Sequence, residues 1–412
     1  MSGLMTLNAG LLLVAFAFGL VPFMLTARMK RRLREAAEAP PAGGQLPPAS
    51  VILPCKGLDP GFEPNIEALF AQDHPDLELL FVVAEEADPA YPVLQSLLQR
   101  HAARGGRVRA TLHVAGLSTQ RAQKLTNQLA ALARTRDSSQ VLVFVDSDCR
   151  PDPGFVRRLV QPLQDPAVGA TTGYRWYHPP TADLGSILRS TWNAGALPFL
   201  VDPAVVFAWG GAMAIGRDTF ARAGIARAWD RAVSDDMTLT VAVRQLGLGV
   251  QFVPTCIAVS HESSTVAETL EFTNRQSLIS RVYFPPLWWG TAIGHALANL
   301  LIVYGLVCGA LWLQRGDAAW LPGAACLLLL VMQAANAAWM FGSAKALLPA
   351  PIRPELQALR WKYILAAPLA SAMTLLNTVH AALTRRMVWR GICYELRSPT
   401  ETVVISPAGR GR

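Results

Sequence analysis

No two of the six cysteines stand at Cys-x-x-Cys spacing and none joins a histidine at zinc-ligand spacing, which excludes a zinc module and a dithiol redox pair. Cys55, Cys149, Cys256, Cys308, Cys326 and Cys393 are expected as free thiols; Cys308 and Cys326 fall inside apolar runs, where cysteine acts as a small hydrophobe. Two familiar phosphate cradles are missing as well: no Gly-x-Gly-x-x-Gly follows the first predicted strand, and no Gly-x-x-x-x-Gly-Lys-Ser/Thr occurs. Charge is scarce. Only 16% of residues are charged while 52% are hydrophobic, which is too apolar for a purely soluble chain and too mixed for a pure membrane bundle. The net charge of +8 does not point to nucleic acid, because the basic residues cluster beside apolar runs rather than among stacking aromatics. An anionic membrane face explains them, and no nucleic-acid partner is expected.

The first apolar run, Leu7 to Ala27, is long enough to cross a bilayer, which takes about 20 residues as a helix. Basic residues follow it (Arg28, Lys30, Arg31, Arg32, Arg34) rather than precede it, so it reads as an uncleaved anchor and not a signal peptide. Residues 1–34 are therefore expected as anchor and basic flank, and the Pro/Gly-rich stretch 35–49 as a linker. Two further runs, Gly290 to Leu313 and Ala318 to Phe341, predict a membrane hairpin turning at Gln314–Asp317. A third, Tyr363 to Leu383, carries Pro368, Ser371, Asn377 and His380 between two basic clusters; a re-entrant or interfacial segment suits it better than a span. This makes 289–384 the carboxy-terminal membrane region and 385–412 a cytosolic basic tail, in a multi-pass protein whose remaining part, residues 50–288, faces the cytosol.

Between the anchor and the hairpin the pattern changes. Val51–Leu53, Leu79–Val83, Val108–Val114 and Val141–Val145 read as buried strands, with Glu63–Ala71, Tyr91–His101 and Gln120–Ala133 as the helices between them. Strand-helix alternation with right-handed crossovers predicts an α/β, Rossmann-like, mostly parallel sheet.

Asp146-Ser147-Asp148 directly follows the last of these strands, at the sheet edge where open α/β folds bind ligands. Two carboxylates one residue apart suit a hard divalent cation, Mg2+ or Mn2+, which bridges readily to a diphosphate. A sugar nucleotide is the first ligand to consider. Asp88 lies past the second strand, on the same edge; it is either part of a solvated acidic loop or an acceptor for a nucleobase N–H. Lys124 is a surface lysine or a partner of phosphate or carboxylate. Ser234-Asp235-Asp236 opens a helix as an N-cap with acidic first-turn residues, which leaves room for one carboxylate to act as general base. Gly210 and Gly211 form either a plain turn into a strand or a place where backbone approaches a ligand closely. Arg275, Gln276 and Arg281, just before the hairpin, are candidates for reading a diphosphate or an acceptor head group.

Together these residues resemble glycosyltransferase family 2-like enzymes with a GT-A fold: the anchor, Asp88-Pro89-Ala90, Lys124 with Asn127, Asp146-Ser147-Asp148, Gly210-Gly211 with Met213, and Asp235-Asp236, in that order. Trp389-Arg390-Gly391-Ile392-Cys393-Tyr394-Glu395-Leu396 looks like the tail of the ceramide glucosyltransferase-like group, and hopanoid-modifying glycosyltransferases are similar in layout. The resemblance spans about Ser50 to Leu396. It implies a GT-A domain set between an amino-terminal transmembrane helix and a carboxy-terminal transmembrane region. It also implies Asp88 at the nucleotide, Asp146 and Asp148 at the diphosphate and metal, and Asp236 as catalytic base; Lys124 is expected beside Asp88 and Asp146 at the nucleotide sugar, and Gly210, Gly211, Asp235, Arg275, Gln276 and Arg281 are the candidates for the diphosphate or acceptor. One pattern departs. The Gln-x-x-Arg-Trp motif is not literal, since four residues separate Gln276 from Arg281 and Val282 replaces the tryptophan.

The expected activity is inverting transfer of a sugar from a UDP-sugar, UDP-glucose or UDP-N-acetylglucosamine first, to a lipid hydroxyl at the cytosolic leaflet. Ceramide, hopanoid and diacylglycerol acceptors are not separated by the sequence. A processive polysaccharide synthase is the alternative enzyme, but it needs more spans and the complete motif. A transporter lacks the expected polar residues in its early spans, and a non-catalytic nucleotide-sugar scaffold has no use for metal and base positions together.

Overall fold

The structure is a computed structural model that describes residues 2–38, 45–315 and 320–406; residues 39–44 of the predicted linker and 316–317 of the predicted hairpin turn lie outside the described residues. The chain begins with α1 (Ser2–Glu38). It continues through β1 (Ala49–Pro54), α2 (Phe62–Phe70), β2 (Leu77–Val83), α3 (Ala90–Ala103), β3 (Arg109–Val114), α4 (Gln123–Leu132) and β4 (Val141–Val145), as the alternation predicts. Side-chain period 2 then divides each buried strand between two cores. Ile52, Leu80, Val82, Leu142 and Phe144 pack with Leu125 and Ala131 of α4. Val51, Leu53, Leu79, Phe81, Val143 and Val145 pack on the other face with Ile66 of α2 and Leu94 of α3. Both faces are covered, which is why these runs carry no polar alternation.

The second half of the layer comprises α5 (Phe155–Val160), β5 (Val168–Tyr177), α6 (Leu184–Ala194), α7 (Leu197–Leu200), β6 (Ala212–Gly216), α8 (Arg217–Arg222), α9 (Ile225–Ala228), α10 (Asp235–Gln245) and β7 (Gly249–Ser260). The seven strands are ordered β3-β2-β1-β4-β6-β5-β7. Pairing is parallel except where β6 runs against β4 and β5. The expected mostly parallel α/β layer is thus present, and the order reverses between β1 and β4, opening a crevice at their carboxyl ends.

Among the described residues four helices are long and apolar enough to cross a membrane: α1, α12 (Pro285–Arg315), α13 (Trp320–Lys345) and α14 (Arg353–Leu383), with α11 (Val266–Tyr283) leading into them. Leu13, Phe16, Leu300, Val303, Leu306, Leu365 and Leu376 point outward and exposed, an apolar surface suited to lipid. Small residues bring helices together: a Cβ on Gly305 would strike the Pro322 carbonyl oxygen at 2.3 Å, so α12 and α13 touch backbone to backbone. α1 joins α13 through the hydrogen bond that Thr26 Oγ1 donates to Asn336 Oδ1, at 2.9 Å.

The segment 363–383, expected as re-entrant or interfacial, forms the last turns of an unbroken 31-residue helix, about 46 Å long at ~1.5 Å per residue and long and apolar enough to span. Ser371 and Asn377 face protein, whereas His380 is exposed. Ser371 Oγ lies 2.9 Å from His295 Nδ1 and 3.2 Å from Asn299 Nδ2, and Asn377 Oδ1 accepts from Thr273 Oγ1 at 3.2 Å. Within the stretch expected as a basic tail, residues 386–406 fold into an antiparallel meander of β8 (Arg386–Trp389), β9 (Ile392–Ser398) and β10 (Glu401–Ser406), and Tyr394 and Leu396 bury themselves in the core shared with α4.

Candidate active site

The crevice at the β1 and β4 tips is the floor of a cavity of about 1490 Å³. Asp146, Ser147 and Asp148 line it from β4, Pro54 to Asp59 from the turn after β1, Lys124 from α4, and Asp235 and Asp236 from the start of α10. The sequence-predicted cluster does converge. Lys124 Nζ sits 2.8 Å from Asp146 Oδ1 and 2.9 Å from Asp235 Oδ2, and it donates to the Gly210 carbonyl at 3.2 Å. Burial opposes charge on this lysine, but Asp146, then Asp235 and Asp236, outweigh it and raise its pKa.

Ser234 is the N-cap of α10, its Oγ accepting from the Met237 N–H at 3.1 Å, as the local sequence predicts. The cap sends the two acids in different directions. Asp235 is buried against Lys124 and Gln128 Nε2, the latter at 2.9 Å. Asp236 is half-buried on the cavity side, where its Oδ2 accepts from the Gly210 N–H at 3.1 Å and its Oδ1 from the Met237 N–H at 2.7 Å and from Ser234 Oγ. Burial, reinforced by Asp235 and only partly offset by Lys124, pushes the Asp236 carboxyl up to about 6.

Gly210 and Gly211 are close-approach positions. A Cβ on Gly210 would lie 2.7 Å from both Asp235 Oδ2 and Lys124 Nζ, and one on Gly211 would lie 2.7 Å from Asp146 Oδ2. Arg275 and Gln276 also line the cavity, Arg275 stacked between Phe272 and Trp389 with its guanidinium carbon 5.3 and 5.8 Å from the ring centres. Burial lowers the Arg275 pKa to about 10.

Two residues behave differently from expectation. Arg281 does not reach the cluster: it donates to the carbonyls of Ala381 and Thr384 (the latter at 3.3 Å) and lies over Trp288. Those carbonyls belong to the carboxyl end of α14, where a cation is favoured. Asp88 stands behind the cavity wall rather than on it. Its Oδ1 accepts from the N–H groups of Gly57 and Ala90, each at 2.9 Å, and so shapes the turn after β1.

Four residues escaped sequence reading. Asp59 Oδ2 accepts from Ser147 Oγ at 2.8 Å, and its Oδ1 meets Arg390 Nη2 at 2.6 Å. Arg390, at the β8–β9 tip, is the single non-glycine residue of positive φ (51°) among the described residues, and its carbonyl accepts from Lys56 Nζ at 2.8 Å. Arg175 forks onto Asp148, and Glu262 pairs with Arg189 at 3.0 Å on the cavity wall. Signals existed for two of them: Arg175 is a charge within the strand run Gly173-Tyr174-Arg175-Trp176-Tyr177, and Arg390 stands in the Trp389-Arg390-Gly391 tail motif. Burial would raise the Asp148 carboxyl, but Arg175 and then Arg390 hold it below its usual value.

From this cluster the cavity continues between the apolar helices. Its far walls include Phe18, Pro22 and Thr26 of α1, His295 of α12, Met332 and Asn336 of α13, and Ala370 and Asn377 of α14. One chamber thus joins a charged, phosphate-scale end to an end lined by membrane-type helices.

The family described as Glycosyl transferase family 21 matches residues 11–402. A ceramide glucosyltransferase of Gibberella zeae is 39% identical over 67 residues, which is 15% of this chain and spans only 13% of the length of that relative. Among solved structures, the mannosyltransferase PcManGT from Pyrobaculum calidifontis in complex with GDP-Man and Mn2+ is similar at 19% identity and TM-score 0.48, covering 90% of this chain and 98% of that one. Glucosyl-3-phosphoglycerate synthase from Mycobacterium tuberculosis in complex with Mn2+ and UDP-glucose is similar at 20% identity and TM-score 0.35, covering 57% of this chain and 79% of that one.

Proposed function

The chain belongs to glycosyl transferase family 21 and is a glycosyltransferase, and we propose that it moves a sugar from a nucleoside diphosphate sugar, UDP-glucose or UDP-N-acetylglucosamine first, to the hydroxyl of a lipid at the cytosolic leaflet. The observation that carries this reading is the single chamber running from Asp146, Lys124 and Asp236 to the groove between α1, α12, α13 and α14. A water-soluble donor fits the charged end and an insoluble acceptor the apolar end.

In this reading Asp236 is the general base. It takes the acceptor hydroxyl's proton as the oxygen bonds to the anomeric carbon; the bond from that carbon to the diphosphate breaks, and its electron pair leaves with the nucleoside diphosphate. Inversion at the carbon follows from a single displacement. A carboxyl raised to about 6 is ionised at neutral pH yet basic enough to accept a proton. Lys124, Arg275 and Gln276 bind the diphosphate and head-group side, and Gly210 lets the donor approach the backbone. Asp88 serves the nucleotide indirectly, by holding the turn at Gly57.

Asp146 and Asp148 offer hard oxygen donors that fit Mg2+ or Mn2+. Among the described residues no three His, Cys, Asp or Glu side chains converge on a metal, so the remaining ligands would be diphosphate oxygens and water. Held by these two carboxylates, a cation would supply positive charge against the departing diphosphate. Residues 50–288 would form the cytosolic catalytic domain, with the anchor and carboxy-terminal helices holding it against the bilayer. Membranes carrying the protein, incubated with labelled UDP-sugars and extracted for lipid, test the reading: labelled glycolipid supports it, whereas labelled polymer or no transfer overturns it.

A further inference from the structure

Arg175 holds the position between Asp146 and Asp148 that a bridging cation needs. Its Nη2 lies 2.6 Å from Asp148 Oδ1 and 3.2 Å from Asp146 Oδ2, and its Nη1 lies 2.9 Å from Asp148 Oδ2. A divalent cation binds carboxylate oxygens at about 2.0–2.6 Å, so guanidinium and metal exclude each other sterically. The guanidinium therefore has to leave Asp148 before a metal can bind there, and a charge displaced within a buried site needs a new partner. A diphosphate supplies one, because its oxygens can pair with the displaced guanidinium.

The arginine is built into this position and is only 7% exposed. It lies between the rings of Trp209 and Tyr177, its guanidinium carbon 5.0 and 5.4 Å from their centres, and Tyr177 Oη accepts from Nη1 at 3.1 Å. Its Nε is buried without a hydrogen-bond partner, so the side chain has an unused donor for an incoming oxygen.

We propose that Arg175 is the resident counter-cation of the Asp146–Asp148 pair, yielding the carboxylates to a divalent cation only when the donor's diphosphate arrives to accept the guanidinium. Arg175 is thereby a positioning residue that couples metal entry to donor entry, and by reciprocity the metal tightens the nucleotide by the same factor. This inference rests on the metal-and-diphosphate reading above.

Mn2+ binding to the purified full-length protein, read from the electron-spin resonance of free Mn2+ with and without UDP, tests it without relying on turnover. Mn2+ alone is expected to bind wild-type protein weakly and to bind about tenfold more tightly with saturating UDP, within the usual range of coupling between sites. Arg175→Gln is expected to bind Mn2+ without UDP about tenfold more tightly than wild type, and to keep only the part of the UDP effect that coordination by diphosphate oxygens supplies. Arg175→Lys keeps a buried cation without the fork, so it guards against a folding defect and is expected to fall between the two. Equal Mn2+ affinity without UDP in wild type and both variants overturns the proposal, as does tight wild-type binding indifferent to UDP. No Mn2+ uptake under any condition overturns both this proposal and the metal role of Asp146 and Asp148, while the lipid-product assay judges sugar transfer separately.

Discussion

Lys124 Nζ lies 2.9 Å from Asp235 Oδ2, and the Asp235 side chain is only 4% exposed. The pair fixes the start of α10 against α4, and with it the direction in which the neighbouring Asp236 faces. Lys124→Met would leave Asp235 buried and uncompensated, at a cost of about 3–5 kcal/mol. Thermal unfolding should show this loss, and adding Asp235→Asn in the same protein should restore much of it. A Lys124→Met protein as stable as wild type would mean that the pair does not hold the helix.

Asp236→Asn should bind UDP-sugar with wild-type affinity and lose transfer by about 100- to 10,000-fold, the usual worth of a positioned base. Donor binding by calorimetry and product formation in membranes separate the two effects. Unchanged transfer would remove Asp236 from the base role.

The raised Asp236 pKa predicts a pH dependence whose sign differs between rate and stability. The base must be ionised to act, so transfer should rise with pH through about 6 and level off above. For stability the direction reverses. The native state holds the Asp236 proton more tightly than the unfolded chain, so its stabilising contribution is complete below about 4 and is lost as pH rises through about 6. A pH-rate profile and unfolding midpoints across the same range check both limbs.

Gly210→Ala should leave the fold intact and depress transfer by at least about 10-fold, approaching ~100-fold if the groups shift by an ångström. Its new Cβ would lie 2.7 Å from both Lys124 Nζ and Asp235 Oδ2, and those groups must move. Normal activity with an unchanged unfolding midpoint would show that the turn has slack.

Arg281→Gln distinguishes a structural from a binding arginine. Losing charged hydrogen bonds to the α14 carboxyl end should cost about 1–3 kcal/mol of stability. The KM for the donor should not change. A raised KM at unchanged stability would return Arg281 to the diphosphate side.

The layer and the apolar helices were legible because they rest on local periodicity: buried strands as unbroken apolar runs, spans as runs of sufficient length. The carboxylates were legible for a related reason, since Asp146 and Asp148 directly follow such a strand and Asp235 and Asp236 directly follow the cap at Ser234. Misreading began where a residue's meaning depended on a distant partner. Ser371 and Asn377 looked unsuited to a span, yet they face His295, Asn299 and Thr273 inside the bundle. Arg281 looked like a ligand-reading residue because it stands near Gln276, yet α14 claims it.

What the sequence determined by itself is the kind of each segment and the tip of the strand that carries the acids, because hydrophobic period and capping chemistry act within a few residues. What only the tertiary structure decided is the company those acids keep. Sheet order brings Arg175 of β5, across β6, onto Asp148 in the turn after β4, and the returning meander sets Arg390 on Asp59. Ion pairs between residues so far apart along the chain depend on which strands become neighbours and where crossovers return, and no local pattern encodes that.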